Sequence, residues 1–170
     1  MSSPAEVQTR VAGVDDVPAV ARLLAEFHEH LGKPRPSPDE LQNSVRRVLD
    51  GGDGEFLIAF AGGEPAGFAQ LRWRWAVWTR AFDAWLEDLF VSKRYRRSGL
   101  GGELVAAVIE RARERGCVRL ELDVDEDNDA GRALYRRTGF SERSKGSARS
   151  LLLGLRTGAG EAGHSGAPSD

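Results

Sequence analysis

The residues with the clearest chemical potential form a short basic, glycine-containing segment near the middle of the chain. Arg96 and Arg97 precede Gly99, Gly101 and Gly102, and the segment lies between a predicted strand and a long predicted helix. The first turn of a helix presents backbone N–H groups without intrahelical partners, and the aligned peptide dipoles add a partial positive charge there. Glycines keep side chains away from these groups. The segment is therefore predicted to bind the phosphates of a ligand.

Two common phosphate-binding motifs do not fit this segment. A Walker loop requires a Gly-Lys-Ser or Gly-Lys-Thr ending, which is absent, and a dinucleotide fingerprint requires a third glycine where Leu104 stands. The pattern that fits is Arg96-Arg97-Ser98-Gly99-Leu100-Gly101. It resembles the R/Q-x-x-G-x-G/A pyrophosphate loop of the GNAT superfamily, the acetyl-CoA-dependent N-acetyltransferases.

The surroundings of the loop extend this resemblance. A strand precedes the loop, a helix follows it, and a later segment from Asn128 through Tyr135 to Gly139 and Phe140 is also similar to the family's core. The likeness in element order covers roughly residues 5–155 and is sharpest between about 86 and 140.

The resemblance implies a site for acetyl-CoA and no metal ion. The strand backbone at Leu89, Phe90 and Val91 would bind the acetyl carbonyl and the pantetheine arm. Asn128 would contact that arm from its other side, and Tyr135 would stand near the thioester sulfur. The pyrophosphate would be held by the loop residues Arg96, Arg97, Ser98, Gly99, Leu100, Gly101 and Gly102.

Acetyl transfer to an amine requires a proton acceptor and a proton donor. A primary amine has an ordinary pKa near ~10, so it must lose a proton before it attacks the thioester. Glu87 is the first candidate for the base, because it lies on an apolar strand face predicted from Trp85, Leu89 and Val91. The neutral hydroxyl of Tyr135 can protonate the departing thiolate, and Gly131, one helical turn earlier, leaves space for the sulfur.

The acceptor is predicted to be a small cationic amine. Residues 86–91, Leu-Glu-Asp-Leu-Phe-Val, look like the matching strand of the spermidine/spermine and related small-amine acetyltransferases, in which the matching glutamate and tyrosine are the proposed base and acid. Residues 123–129 add five carboxylates that could attract a cation, although a solvated helix cap explains them as well. An ion-paired surface carboxylate is the alternative for Glu87.

The predicted reaction is direct transfer of acetyl from acetyl-CoA to a primary amine of polyamine, aminoglycoside or amino-acid type. Two alternatives remain open at this stage. The acceptor could be a protein or peptide amine, or the chain could be a noncatalytic module that binds acyl-CoA.

Composition narrows the class of protein. The 170 residues include 24 Lys and Arg against 26 Asp and Glu, a net charge of −2, which argues against a nucleic-acid-coating protein. The single cysteine, Cys117, permits no internal disulfide and no Cys-pair zinc site. Apolar runs such as residues 56–61 are far shorter than the ~18 needed to span a bilayer. With no signal-like N-terminus, we expect a cytoplasmic protein.

Hydrophobic periodicity predicts the order strand, two helices, three strands, helix, strand, helix, strand. Asp15 or Asp16 is expected to cap the first helix, and Ser37, Pro38 and Glu40 form a capping box for the second. The last three elements are predicted as a strand over 118–124, a short helix capped by Asp127 or Asn128, and a strand over 151–155.

These elements and the resemblance together predict one α/β (α+β) domain. A mixed, mostly antiparallel sheet, flanked by about four helices, would splay at its two central strands, as in the GNAT family. Residues 1–155 form the predicted acetyltransferase domain and residues 156–170 a disordered tail. Tryptophans 73, 75, 78 and 85 are expected to fill the core or a homodimer contact.

Overall fold

The computed structural model describes residues 6–142, 144–145, 148–149 and 155. Their contacts group the chain into two compact units, Met1–Asp123 and Val124–Asp170. The first unit contains β1 (Val7–Val11), α1 (Val17–His30), α2 (Pro38–Gly51), β2 (Gly54–Ala61), β3 (Glu64–Ala76), β4 (Ala81–Val91), α3 (Leu100–Glu114) and β5 (Arg119–Glu121). The second contains α4 (Asp129–Arg137), β6 (Ser144–Lys145) and β7 (Ala148–Arg149).

The first unit is built on one five-stranded sheet in the order β1-β2-β3-β4-β5. The three pairings from β1 to β4 are antiparallel and the pairing of β4 with β5 is parallel. The predicted mixed, mostly antiparallel sheet is therefore confirmed. β2 and β3 are joined by a tight hairpin turn, with Gly62 and Gly63 both at positive φ.

Helices cover both faces of this sheet. Phe56, Ile58, Phe68 and Phe90 join the apolar sides of α1 and α2 in one buried cluster. On the opposite face α3 packs so closely that a Cβ at Gly67 would lie 3.1 Å from the Leu104 side chain. Burial on both sides explains why β2 is a continuous apolar run rather than an alternating one.

The two helix-capping predictions have different outcomes. The capping box of α2 is confirmed, since Glu40 N–H donates to Ser37 Oγ and the Glu40 carboxylate accepts from Ser37 N–H. Asp16 occupies the N-cap of α1 but does not cap it with its side chain. Its carboxylate accepts from Gly13 N–H and from the Arg10 guanidinium, so it closes the preceding 3-10 turn instead.

Strand β4 contains a β-bulge at Glu87. Gln70 pairs with Asp88 and the next residue, Leu71, pairs with Leu86, so Glu87 is the extra residue on β4. The prediction that Trp85, Glu87, Leu89 and Val91 share one face is wrong for this reason. Trp85 lies opposite Arg72 and Leu89 opposite Ala69, positions that point to opposite faces of β3.

The parallel pairing of β4 with β5 is short. Asp83, Ala84 and Trp85 pair with residues 119–121, and the strand predicted over 118–124 is reduced to these three residues. Among the described residues no strand continues along this edge of β4 beyond Trp85. The splay at the two central strands that the family resemblance implies stays a prediction, with which this short pairing is compatible.

In the second unit, α4 begins where the sequence predicts. Asn128 is its N-cap and accepts a hydrogen bond from Gly131 N–H at 2.9 Å, and Gly139 follows the helix at φ 99°. The strand predicted over 151–155 lies outside the described residues apart from Leu155, and so does the tail at 156–170. The boundary between a 1–155 domain and a tail stays a prediction.

Candidate active site

At the end of β4, the side away from β3 pairs with no other strand of the described residues. Ser92 N–H donates to Ala66 O at 2.9 Å, which makes these residues a hydrogen-bonded pair of the antiparallel ladder. Because such pairs alternate with non-bonded ones, Leu89 and Val91 direct their N–H and C=O groups away from β3. That is the side on which β5 has already ended. The buried ring of Phe90, between them in sequence, anchors the segment in the core.

The predicted pyrophosphate loop forms an open entrance to α3. Arg97 and Gly99 both adopt left-handed backbone conformations, with φ of 62° and 89°. Gly99 is the N-cap of α3 and provides no side-chain cap for the first turn. A Cβ at Gly99 or Gly102 would meet no atom within 4 Å, whereas Leu100 is fully buried and fixes the helix start. The N–H groups at this helix end are thus accessible to an anion.

Arg96 connects the loop to the strand end. Its Nε donates to Val91 O at 3.0 Å, and its guanidinium lies 5.6 Å from the centre of the Phe90 ring. The ring of His30, at the end of α1, is tilted by 43° to the Phe90 ring, with the two ring centres 6.2 Å apart. Burial, and then the positive charge of Arg96, lower the pKa of His30. Ser98 donates to Tyr95 O at 2.6 Å, which closes the turn before the loop.

Glu87 is exposed and lines an open cavity of about 360 Å³. Its described lining residues all lie on β3 and β4, with Arg72, Arg74, Asp83 and Trp85 among them. Sequence reasoning missed Asp83, Arg72 and Arg74 as site residues. The available signal was the alternation of Arg72 and Arg74 along β3, which marks one polar face but does not show that a cavity lies on it.

A group of ion pairs surrounds this cavity. Arg119 binds the buried carboxylate of Asp83 through two nitrogens, at 2.8 and 3.3 Å, and this contact raises the pKa of Arg119. Arg74 lies 3.4 Å from Glu121 and 3.8 Å from Asp83. Among the described residues Glu87 takes part in none of the ion pairs.

The other two predicted site residues lie in the second unit. Asn128 caps α4, and the ring of Tyr135 makes an edge-on contact with Phe140 at 5.7 Å. A Cβ at Gly131 would lie 2.8 Å from the Asn128 amide, so the glycine is required by the cap. The cap therefore explains why a glycine stands at position 131, in addition to the predicted need to leave space for a sulfur atom.

The remaining candidate residues are distributed as follows. The five carboxylates of the 123–129 segment are all exposed. Within the described part of the chain, no three His, Cys, Asp or Glu residues are placed to hold a metal ion, and no helix is long and apolar enough to cross a membrane.

Trp73 is buried beneath the Arg115 guanidinium, whereas Trp78 is 98% exposed at the tip of the β3–β4 hairpin.

Comparison with known proteins defines the class of this protein. The family model for the acetyltransferase (GNAT) family matches residues 17–140. The chain therefore belongs to the GNAT family, as the loop at residues 96–101 predicts, and it is an acyltransferase. The family uses acetyl-CoA as its acetyl donor.

Individual relatives agree with this assignment. The chain is 31% identical to the thialysine N-epsilon-acetyltransferase of Caenorhabditis elegans over 67% of its length and 72% of that protein. It is 30% identical to the aminoglycoside N(6')-acetyltransferase type 1 of Stenotrophomonas maltophilia, over 75% of this chain and 84% of that protein. A crystal structure from Arthrobacter sp. FB24 matches with a TM-score of 0.78 and 33% identity, covering 92% of this chain and 98% of that one.

The residues present fit acetyl-CoA. An open helix N-terminus without a side-chain cap suits a diphosphate, because its N–H groups and dipole both favour negative charge. The edge at Leu89 and Val91, which no strand of the described residues covers, suits an extended arm that carries amide groups, since such an arm can hydrogen-bond to a strand edge as another strand would. With catalysis established by family, the noncatalytic acyl-CoA-binding module is set aside.

Proposed function

We propose that this acetyltransferase acts on the primary amine of a small cationic acceptor, by direct attack and without a covalent enzyme intermediate. The observation that carries the proposal is the position of Glu87. It projects from the β4 bulge into an open cavity, close to the point where β4 loses its β5 partner. The thialysine and aminoglycoside relatives, whose names state amine-bearing small molecules, support the acceptor class.

In this proposal Glu87 removes the proton from the incoming ammonium group. The bound donor supplies a thioester whose acyl carbon an amine can attack. A carboxylate at the cavity wall can accept a proton directly or through one water molecule. Its exposure and its absence from the ion pairs of the described residues leave it able to do so.

The strand edge stabilises the negative charge that develops on the acyl oxygen. The N–H groups of Leu89 and Val91 point away from β3, into the gap left by β5. One backbone N–H aimed at such an oxygen is worth about 3 kcal/mol in other acyl-transfer enzymes. Arg96 restrains this strand end through its hydrogen bond to Val91 O. Tyr135 is the proposed donor of the proton that the leaving thiolate takes up.

The proposed base is tested by Glu87→Gln, with thiol release from acetyl-CoA measured over a panel of polyamines, aminoglycosides, amino acids and peptides. We expect kcat to fall by ~10² or more with the best small amine, because the amide cannot accept the proton. Glu64→Gln, the same change at an exposed site on the β2–β3 turn, is the control and should keep full activity.

Two results would contradict this proposal. An unchanged kcat in Glu87→Gln would mean that another group or an ordered water removes the proton. Faster release with peptides than with every small amine would favour a protein or peptide acceptor, the alternative left open by the sequence.

A further inference from the structure

The cavity beside Glu87 is lined by positive as well as negative charge. Arg72 and Arg74 alternate along β3 and therefore project from the same face of the strand. They pair across the sheet with Trp85 and Asp83, and all four line the cavity together with Glu87. A site for an acceptor with only positive groups would not need two guanidinium groups in its wall.

Among the described residues that line this cavity, every charged side chain except Glu87 has a recorded ion pair. Arg72 pairs with Asp53 at 2.8 Å, Arg119 with Asp83 at 2.8 Å, and Arg74 with Glu121 at 3.4 Å. Glu87 contributes one further negative charge at one end of the cavity. A single ammonium group is attracted there, whereas the opposite end of the cavity presents the guanidinium of Arg74, whose two carboxylate contacts are long.

Arg74 is the arginine best placed to bind another anion. Its side chain is 67% exposed, and its contacts with Glu121 and Asp83, at 3.4 and 3.8 Å, are both made by Nη2. Asp83 is already satisfied by the two shorter contacts from Arg119. A guanidinium with loosely held partners can turn its planar edge to an incoming carboxylate and form two parallel hydrogen bonds.

We propose that the acceptor carries a carboxylate, which Arg74 binds, together with a side-chain amine that is presented to Glu87. This inference rests on the proposed function and specifies its acceptor. Glu87 lies opposite the Gln70–Leu71 step, so Arg74 is three to four residues farther along β3, about 12 Å between backbone positions. The side chains of Glu87 and Arg74 reach into the cavity and shorten this distance. An extended diamino acid, whose terminal amine and carboxylate are roughly 7 Å apart, can span the distance that remains.

The test compares acceptors that differ only in the carboxylate. L-lysine, L-lysinamide and cadaverine share the same terminal amine, but the amide neutralises the carboxylate and cadaverine lacks it. Thiol release from acetyl-CoA by the full-length protein gives kcat/KM for each. We expect lysine to exceed both analogues by at least about tenfold, with most of the difference in KM, because the carboxylate contributes binding and not chemistry.

Arg74→Gln identifies the residue responsible. The ratio of kcat/KM for lysine to that for lysinamide should fall toward one in this variant. Arg113→Gln removes an equally exposed arginine, on α3, whose recorded ion pair is with Glu110 at 3.5 Å, and it should leave the ratio unchanged. Because the ratio is also measured in the unaltered protein, the test does not depend on folding of the variant.

The failures are distinguishable. If lysinamide or cadaverine equals or exceeds lysine in the unaltered protein, the carboxylate inference is overturned while the small-amine function stands. A lysine preference that survives in Arg74→Gln also overturns the assignment of Arg74. If none of the three amines releases thiol but a peptide does, the proposed small-molecule function itself fails.

Discussion

Glu87 owes its position to one extra residue in β4. Without the bulge, the alternation of β4 would place Glu87 on the same face as Trp85 and Leu89, which in the folded chain lie on opposite faces. Bulges bend a strand and redirect a side chain, and they are common beside active sites. Here the bulge turns a carboxylate toward a cavity at the same place where the β4–β5 pairing has stopped.

Tyr135 permits a test of the proposed acid that is independent of the base. Tyr135→Phe removes one hydroxyl and keeps the ring that contacts Phe140. We expect acetyl-CoA affinity, measured by calorimetry, to be retained while kcat falls by ~10² or more, since the thiolate loses its proton donor. Tyr95→Phe, at the only other tyrosine, is the matched control and should retain kcat. Equal turnover of the two variants would exclude Tyr135 from the mechanism.

At the residue scale, prediction succeeded where the signal is local. Ser37 with Glu40, and Asn128 before α4, are capping patterns that are complete within four residues of sequence. The bulge at Glu87 could not be predicted, because the period-two rule assumes an uninterrupted ladder and the register depends on β3. The carboxylate of Asp16 was assigned to the wrong turn because its strongest partner, Arg10, comes from β1.

The entrance to α3 shows how an element creates a site. A long amphipathic helix must start with several N–H groups unpaired, and here neither a capping side chain nor a neighbouring Cβ covers them. The buried Leu100 fixes where the helix begins. The sequence was sufficient to predict this feature, because the glycines, the basic residues and the apolar stripe are contiguous.

Gly102→Ala separates stability from donor binding. An added methyl group meets no protein atom within 4 Å, and alanine favours a helix over glycine by about 0.5–1 kcal/mol, so the free energy of unfolding should rise or stay constant. The same methyl group would stand at the helix end proposed for the pyrophosphate. We expect the Kd for acetyl-CoA, from calorimetry, to increase by about tenfold.

The control for this change is Gly13→Ala, another glycine with negative φ, in the connection between β1 and α1, where an added Cβ would be in ordinary contact with the Asp16 carboxylate at 4.0 Å. It should leave the Kd unchanged. If Gly102→Ala bound acetyl-CoA as tightly as this control, the diphosphate would have to bind away from the start of α3.

Strand β5 was predicted too long for a physical reason. Alternating apolar and charged residues run from Val118 to Val124, but Val118 is 54% exposed and only three residues pair with β4. Alternation shows which residues could line a face and not whether a partner strand is present. Where the pairing of β5 with β4 ends depends on the partner strand, so alternation within residues 118–124 could not predict it.

At the scale of the whole molecule, the sheet depends on helices packed on both faces, and α1 is attached to β1 by an ion pair. Arg10 on β1 donates to both carboxylate oxygens of Asp16, at 2.6 and 2.8 Å. These hydrogen bonds, opposed by a smaller effect of burial, lower the pKa of Asp16. A carboxyl group with a lowered pKa stabilises the fold above its ordinary value and loses that contribution as the pH falls through the lowered one.

Asp16→Asn should therefore destabilise the protein at neutral pH and not in strong acid. We expect the free energy of unfolding to fall by about 1 kcal/mol at pH 7. The expected loss is this small because the Arg10 side chain is 45% exposed and solvent screens the ion pair. The difference should diminish below the ordinary carboxyl pKa of about 3.9, once Asp16 is protonated. Urea unfolding at pH 7 and in acid measures it, with the exposed Asp15→Asn as control. A difference that is the same at both pH values would show that the charge of Asp16 does not stabilise the fold.

The ion pair between Asp83 and Arg119 has a consequence for how this lineage can change. It lies within the three residue pairs that hold β5, and loss of Arg119 would leave the buried carboxylate of Asp83, among the described residues, with its longer contact to Arg74 at 3.8 Å. Substitution of Arg119 alone is therefore expected to destabilise this edge of the sheet. The two positions are thus expected to change together or to stay fixed.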